Sequence, residues 1–411
     1  MRKLDFIVAV VLLTLFASSG NCQRQSFFVA PQTTDPNITT NLNSHYVSIN
    51  RATVRRNQLF LFFPGTGGVA FNYLEINNTA ADLGFHAINL TYPNDEPVNT
   101  LCGGLNSDLD CYANVRLETK DGTDRTDLVN VNRPNSIENR IAKLLIYLAQ
   151  EFPDDEWGQF ITSDSTIRWS KVVVSGHSQG GGYAGIIARY HPVVRAVKFA
   201  AMDFNGRSNA PANWIAQPES TPNATPSARF WGFSHQADEM ISFMTLSTRI
   251  WPAYGMPEFG EVTNVDVGQP PYGGTHSLTS GRPCGNYHGC IVVDARLVRE
   301  NGIPVYKPVW EYMLSHSTAP LNIESVSFFR GIHPVSRPAV GSSTKYFTLQ
   351  IRGTGFEPGS VILINGMEVE PISVDAEEAR FRLPAGKFGR FGGSTVQVRN
   401  VAGATSNVIF F

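Results

Sequence analysis

Apolar and polar positions over residues 45–315 fall into two alternating patterns. Runs that are apolar at most positions recur at 59–63 (LFLFF), 86–90 (HAINL), 171–175, 193–200, 228–233 and 261–267. Several of these are apolar on both faces, as the central strands of a parallel sheet are. Between them lie stretches with helical spacing: 71–83, 136–152, 181–190, 237–250 and 309–315. The clearest is 136–152, where Ile137, Ile141, Leu144, Leu145 and Leu148 share one side behind Ser136-Ile-Glu-Asn, a helix-start signal. Strand and helix in alternation predict an α/β domain over 45–316, a mostly parallel sheet with helices on both faces. Such sheets bind ligands at the carboxyl ends of their strands.

The pattern changes near Ser317-Thr-Ala-Pro320. From 321 to 411 the helical period disappears, and short alternating runs such as 346–352 and 395–401 are broken by Gly and Pro, which predicts a small all-β sandwich. This stretch resembles the immunoglobulin-like IPT/TIG modules through Ile323-Glu-Ser-Val326, Leu349-Gln-Ile-Arg-Gly-Thr-Gly-Phe356, Val361-Ile-Leu-Ile-Asn-Gly366 and Val398-Arg-Asn-Val-Ala-Gly-Ala-Thr-Ser-Asn407. By analogy the module would contact a polymer, a cell surface or a partner, or act as a spacer. At the other end, Arg2 and Lys3 precede the apolar run 6–17 and the small residues Ser18, Ser19 and Gly20, the order of a secretory signal peptide over 1–22. That run is too short to cross a bilayer. Residues 23–44 read as a loose leader, and the mature chain is expected to be secreted or periplasmic, without a membrane span.

Composition narrows the partners. With 33 Lys+Arg against 35 Asp+Glu and no long run of one sign, the chain lacks the basic footprint that nucleic-acid binding requires. A small-molecule or polymeric substrate is expected instead. Of five cysteines, Cys22 stands alone; the others form two close pairs, Cys102 with Cys111 and Cys284 with Cys290. In an oxidising compartment that spacing predicts two disulfides. It matches no zinc pattern.

Candidate chemistry centres on KVVVSGHSQGGGYAG, residues 171–185. Gly176-His-Ser-Gln-Gly180 is a GxSxG directly after an apolar run and directly before a helical one. A serine on so sharp a strand-to-helix turn sits in strained backbone, and glycine neighbours let strand and helix approach closely. The turn lifts the Ser178 hydroxyl above the sheet edge, and the helix N-terminus favours negative charge developing there. Ser178 is therefore the candidate nucleophile.

At this turn, residues 45–316 resemble the serine α/β-hydrolases of the esterase and lipase kind. The resemblance implies a Ser-His-Asp triad in the chain order serine, acid, histidine. Asp238, just after the run 229–233, stands where the acid is expected; Asp203 is its competitor. Two histidines follow, His276 in Tyr272-Gly-Gly-Thr-His-Ser-Leu278 and His288 in Cys284-Gly-Asn-Tyr-His-Gly-Cys290. One of them is the base, and His288 is preferred because a cross-linked loop would hold it rigidly. Phe62-Phe-Pro-Gly-Thr-Gly-Gly68 looks like the oxyanion loop of the same fold, with Thr66 or Gly67 giving one backbone N–H and Gln179 the other. Gly65-Thr-Gly-Gly-Val-Ala70 also fits a dinucleotide fingerprint, but no acidic residue closes the following strand to hold a ribose. His177 reads as a packing or pocket residue and His235 as a strand-end residue, neither of them a metal ligand. The polar insertion 99–134 is either a pocket wall or a solvated loop.

The expected protein is a secreted serine hydrolase, a carboxylic-ester hydrolase working through an acyl-enzyme, with no cofactor and no metal. Rival readings are a peptidase or thioesterase on the same fold, or a binding protein on a catalytically inactive hydrolase scaffold.

Overall fold

The computed structural model describes residues 24–103, 108–204, 210–216, 225–316, 321–330, 333–335, 346–356, 360–369, 371–374, 378–384, 394–399 and 405–410. Nine strands form one sheet: β1 (Arg24–Val29), β2 (His45–Asn50), β3 (Leu59–Phe63), β4 (His86–Asn89), β5 (Val172–His177), β6 (Arg195–Phe199), β7 (Phe230–His235), β8 (Thr263–Asn264) and β9 (Ser277–Ser280). They lie in the order β1-β2-β4-β3-β5-β6-β7-β9-β8. The pairs β1–β2 and β2–β4 are antiparallel, and the others are parallel. From β3 the chain steps to β4 on one side and then to β5 on the other. That reversal opens a crevice above the carboxyl ends of β3 and β5, where open α/β sheets bind their ligands.

Every residue of β3 and β5 is buried, which accounts for their uninterrupted apolar sequences. Helices cover the sheet. In Ile137–Glu151 the Ser136 hydroxyl accepts the Asn139 N–H and caps the first turn, while Ile137, Ile141, Leu144, Leu145 and Leu148 are buried. Each such side chain contributes about 2 kcal/mol by leaving water.

The described residues of 99–134, which are 99–103 and 108–134, are largely helical and packed, not a solvated loop. Helices Val98–Cys102 and Cys111–Asp121 are joined by the Cys102–Cys111 disulfide. Glu118 in the second helix is buried, and its carboxylate accepts the amides of Arg125, Thr126 and Val131. Glu118 thus turns inward to satisfy the amides of the following turn.

Residues 24–44 are not a loose leader either. β1 pairs along its whole length with β2, Ile38 is fully buried, and the Thr39 and Thr40 amides donate to Asn135 Oδ1. An edge strand with one wet face carries too few apolar positions to announce itself. Likewise the expected strand 261–267 shrinks to β8, and the inner strand is β9, whose Ser277, Thr279 and Ser280 are buried, the hydroxyls of Thr279 and Ser280 bonded to neighbours. The expected helix 237–250 is a turn followed by Phe243–Thr245 and one wide π-helical turn at Leu246–Ile250.

Beyond residue 321 the described residues form β-strands and their connections, with no helix among them. One antiparallel sheet contains Asn322–Arg330, His333–Val335, Tyr346–Thr354, Pro371–Val374 and Glu378–Pro384; the other contains Val361–Ile364, Met367–Val369, Thr395–Arg399 and Ile409–Phe410. Leu349, Ile351, Ile362, Phe381, Val396 and Val398 form a core of their own. The second disulfide, Cys284–Cys290, is also formed, and both bonds are compatible with an oxidising compartment. Among the described residues no helix is long and apolar enough to cross a membrane. The segments 1–22 and 317–320, read from sequence as signal peptide and domain boundary, lie outside the described residues.

Candidate active site

Ser178 joins β5 to the helix Gln179–Tyr190 with φ 52° and ψ −121°, a backbone state that costs a non-glycine residue on the order of 1–3 kcal/mol. The turn is held from both sides. Its N–H donates to the Phe199 carbonyl at 2.8 Å, and its carbonyl accepts the amides of Gly181 at 3.0 Å and Gly182 at 3.3 Å. A Cβ on Gly176 would collide with the Gly180 backbone, and one on Gly180 with the carbonyls of Phe63 and Pro64. Only glycine lets β5, the helix and the end of β3 meet this closely. The twelve-residue helix then sets its positive end beside the serine.

Opposite the serine stand Asp238 and His288. The Asp238 side chain is fully buried. Its Oδ1 accepts the amides of Met240 and Ile241, both at 2.9 Å, so a tight turn fixes the carboxylate. Both of its oxygens face His288 Nδ1, at 3.0 and 2.9 Å. A carboxylate only accepts, so Nδ1 carries the proton and the lone pair is left on Nε2. The loop carrying His288 is closed by Cys284–Cys290 and tied to Glu239, which accepts the His288 N–H at 3.1 Å and the Asn286 side-chain amide. Ser178 and His288 line one cavity of 410 Å³, together with Thr66, Gln179, Met202 and Met240.

His276 is elsewhere. It immediately precedes β9, is fully buried, and stacks between Trp231, with ring centroids 3.7 Å apart, and Phe259, at 4.6 Å. Its Nδ1 donates to the Phe230 carbonyl at 3.0 Å. Burial, helped by the Arg195 charge, lowers its pKa to about 3. His276 is a core residue and does not reach the cavity. Asp203 is likewise removed from both histidines: buried, it binds the guanidinium of Arg116, whose Nη1 donates to the Gln179 carbonyl at 3.0 Å.

Of the two loop amides suggested for an oxyanion, that of Gly67 already donates to the Asn94 carbonyl at 2.9 Å. The amides of Thr66 and Gln179 have no partner among the described residues. The same two residues are tied by a bond from Thr66 Oγ1 to Gln179 Oε1 at 2.9 Å. His235 ends β7 as expected, its Nε2 donating to the Arg282 carbonyl and its Nδ1 accepting the Ala237 amide. His235 lies near Cys284 and Cys290, but sulfurs joined in a disulfide offer no thiolate to a metal. Tyr73, which lines the cavity, went unnoticed in the sequence because it reads as one apolar position of a helix.

Comparison with known proteins bears mainly on the C-terminal part. A family model described as the IPT/TIG domain matches residues 331–411. The C-terminal sandwich is an IPT/TIG domain. Its match begins after Asn322–Arg330, a strand that pairs with Tyr346–Thr354 inside the same sheet. Among solved structures, the crystal structure of TT1662 from Thermus thermophilus is similar with a TM-score of 0.34 and 12% identity, covering 71% of this chain and 97% of that one. No curated protein matches.

Proposed function

We propose that residues 24–316 form an α/β-hydrolase domain and that the protein is a carboxylic-ester hydrolase. The observation that carries this reading is the Asp238 carboxylate on His288 Nδ1, facing the same cavity as a serine in strained backbone at a helix N-terminus. The strand order, with its reversal above β3 and β5, supports the fold.

In the proposed reaction, His288 Nε2 takes the Ser178 proton as Oγ attacks the ester carbonyl. Asp238 stabilises the imidazolium and holds the productive tautomer. The Thr66 and Gln179 amides receive the oxyanion, each such donor supplying a factor of about 10²–10³. His288 returns the proton to the departing alkoxide, and water then repeats the cycle on the acyl-enzyme. Met202, Met240, Ile241 and Val98 give the cavity an apolar wall suited to an acyl chain, and 410 Å³ is the size of a small-molecule site. Every step uses groups of this chain alone. The IPT/TIG module would tether the enzyme to a surface or polymer.

A fluorophosphonate probe and a panel of p-nitrophenyl esters, acyl thioesters and peptide amides test the reading. Wild type should label on Ser178 and turn over esters, and Ser178→Ala should lose labelling and about 10⁶ in kcat. Equal labelling of the alanine variant refutes the nucleophile. Amide cleavage without ester turnover refutes the substrate class.

A further inference from the structure

We propose that His177 is a positioning residue, fastening the main chain of the base His288 to the oxyanion loop. The inference rests on the hydrolase reading above and extends it to a residue outside the triad.

Four groups stand in series. The Gly65 N–H donates to Tyr73 Oη at 3.1 Å. The Tyr73 hydroxyl also lies 3.0 Å from His177 Nδ1. The other ring nitrogen, Nε2, lies 2.9 Å from the His288 carbonyl, which can only accept, so Nε2 carries the proton of the neutral ring. Nδ1 is then the acceptor and Tyr73 directs its proton to it, leaving His177 as the Nε2–H tautomer with both nitrogens committed. One end of the chain is the first turn of the loop that offers the Thr66 amide, and the other end is the residue that carries the base. Both are loops, and catalytic groups on loops need such outside support to hold their geometry.

A ring that only filled space would not need its two nitrogens aimed at opposite loops. Nor can His177 be the base: although it lines the cavity, it is buried, and both its ring nitrogens are engaged, Nε2 by the His288 carbonyl and Nδ1 by Tyr73. Its neutrality also matters. The groups facing it are Tyr73 and His288, whose rings lie with centroids 5.8 and 4.7 Å from its own, and beyond them Asp238. A second cation against His288 would oppose the imidazolium that forms during the reaction. Burial, followed by the His288 charge, keeps His177 uncharged by lowering its pKa to about 3.

The test is kinetic and spectroscopic on the full chain. Against p-nitrophenyl acetate, His177→Leu should lower kcat by about 10²-fold with little change in KM, the size of loss that small misplacement produces. His177→Gln, whose side-chain amide can still donate to the His288 carbonyl, should recover most of it. Tyr73→Phe should cost less, and the double variant His177→Leu/Tyr73→Phe no more than His177→Leu alone, because both act through one series of bonds. Ring ¹⁵N spectra of wild type should show His177 as Nε2–H throughout pH 5–8. Wild-type kcat in His177→Leu, failure of His177→Gln to recover it, or a His177 ring titrating near pH 6.5 would each overturn the proposal. If ester turnover and probe labelling are absent from wild type itself, the hydrolase reading falls first and takes this one with it; if wild type is active and His177→Leu is too, only the positioning role is lost.

Discussion

His276 and His288 stand twelve positions apart, each within reach of glycines, and differ in what surrounds them. One is sandwiched by aromatic rings with its Nδ1 on a main-chain carbonyl; the other is partly exposed with its Nδ1 on a carboxylate. Only the second arrangement leaves a nitrogen free to accept a proton in a cavity. His288→Ala should therefore lower kcat at least a thousandfold with little effect on unfolding. His276→Ala should leave kcat within a few-fold and cost about 3 kcal/mol in urea denaturation, because it empties a slot in the core. The reverse pattern would exchange their roles. The proposed nucleophile Ser178 and acid Asp238 were legible as candidates because a strained turn and a chain order restrict the letters at those places. For the histidine the sequence supplied only a preference for His288 through its cross-linked loop, since the choice turns on where β9 lies, and β9 is written mostly in buried serines and threonine.

The same rule governs the elements. β3, β4, β5, β6 and β7 were readable because burial on both faces leaves apolar runs, and Ile137–Glu151 because its cap and stripe agree. β1 is an edge strand, and residues 237–250 contain a tight turn built on Asp238, so neither carries the period that the reading relied on. The cysteine pairs were readable from spacing, and they should now separate kinetically. Cys284–Cys290 closes the loop of the proposed base His288, whereas Cys102–Cys111 supports a stretch from which Asn99, Thr100 and Arg116 line the cavity. Each contributes about 2 kcal/mol in the chain-entropy estimate. Replacing both cysteines of the second pair by serine should lower kcat about tenfold at constant KM, and the same change in the first pair should chiefly raise KM. A variant of Cys284 and Cys290 that altered KM alone would show that the loop is held in place without its cross-link.

At the scale of the molecule, two separate cores lie one in the large sheet and one in the sandwich, and the cavity draws all its residues from the first. Five histidines of that first domain are held below their ordinary value near 6.5. Burial lowers His45, His177 and His276 to about 3 and His86 and His316 to about 4. In the window from pH 6.5 down to about 4 the unfolded chain binds these five protons and the folded chain does not, so stability is lost as pH falls. Asp294 works the other way: burial raises it to about 6 although it accepts the amides of Leu74 and Glu75, so the folded chain takes up that proton first and offsets one histidine. Five minus one leaves four, or at most about 5 kcal/mol lost per pH unit near pH 5. Glu138, which burial alone would raise, is held at about 2 by bonds from Lys120 and Arg133 and by His191 3.7 Å away, so its contribution fades as pH falls below about 4.5. The urea midpoint should therefore drop steeply between pH 6.5 and 4.5, and His45→Gln should flatten the slope by about one proton. A midpoint constant across that range would mean that these histidines meet water in the folded protein, and with it that His177 is not sealed between Tyr73 and His288.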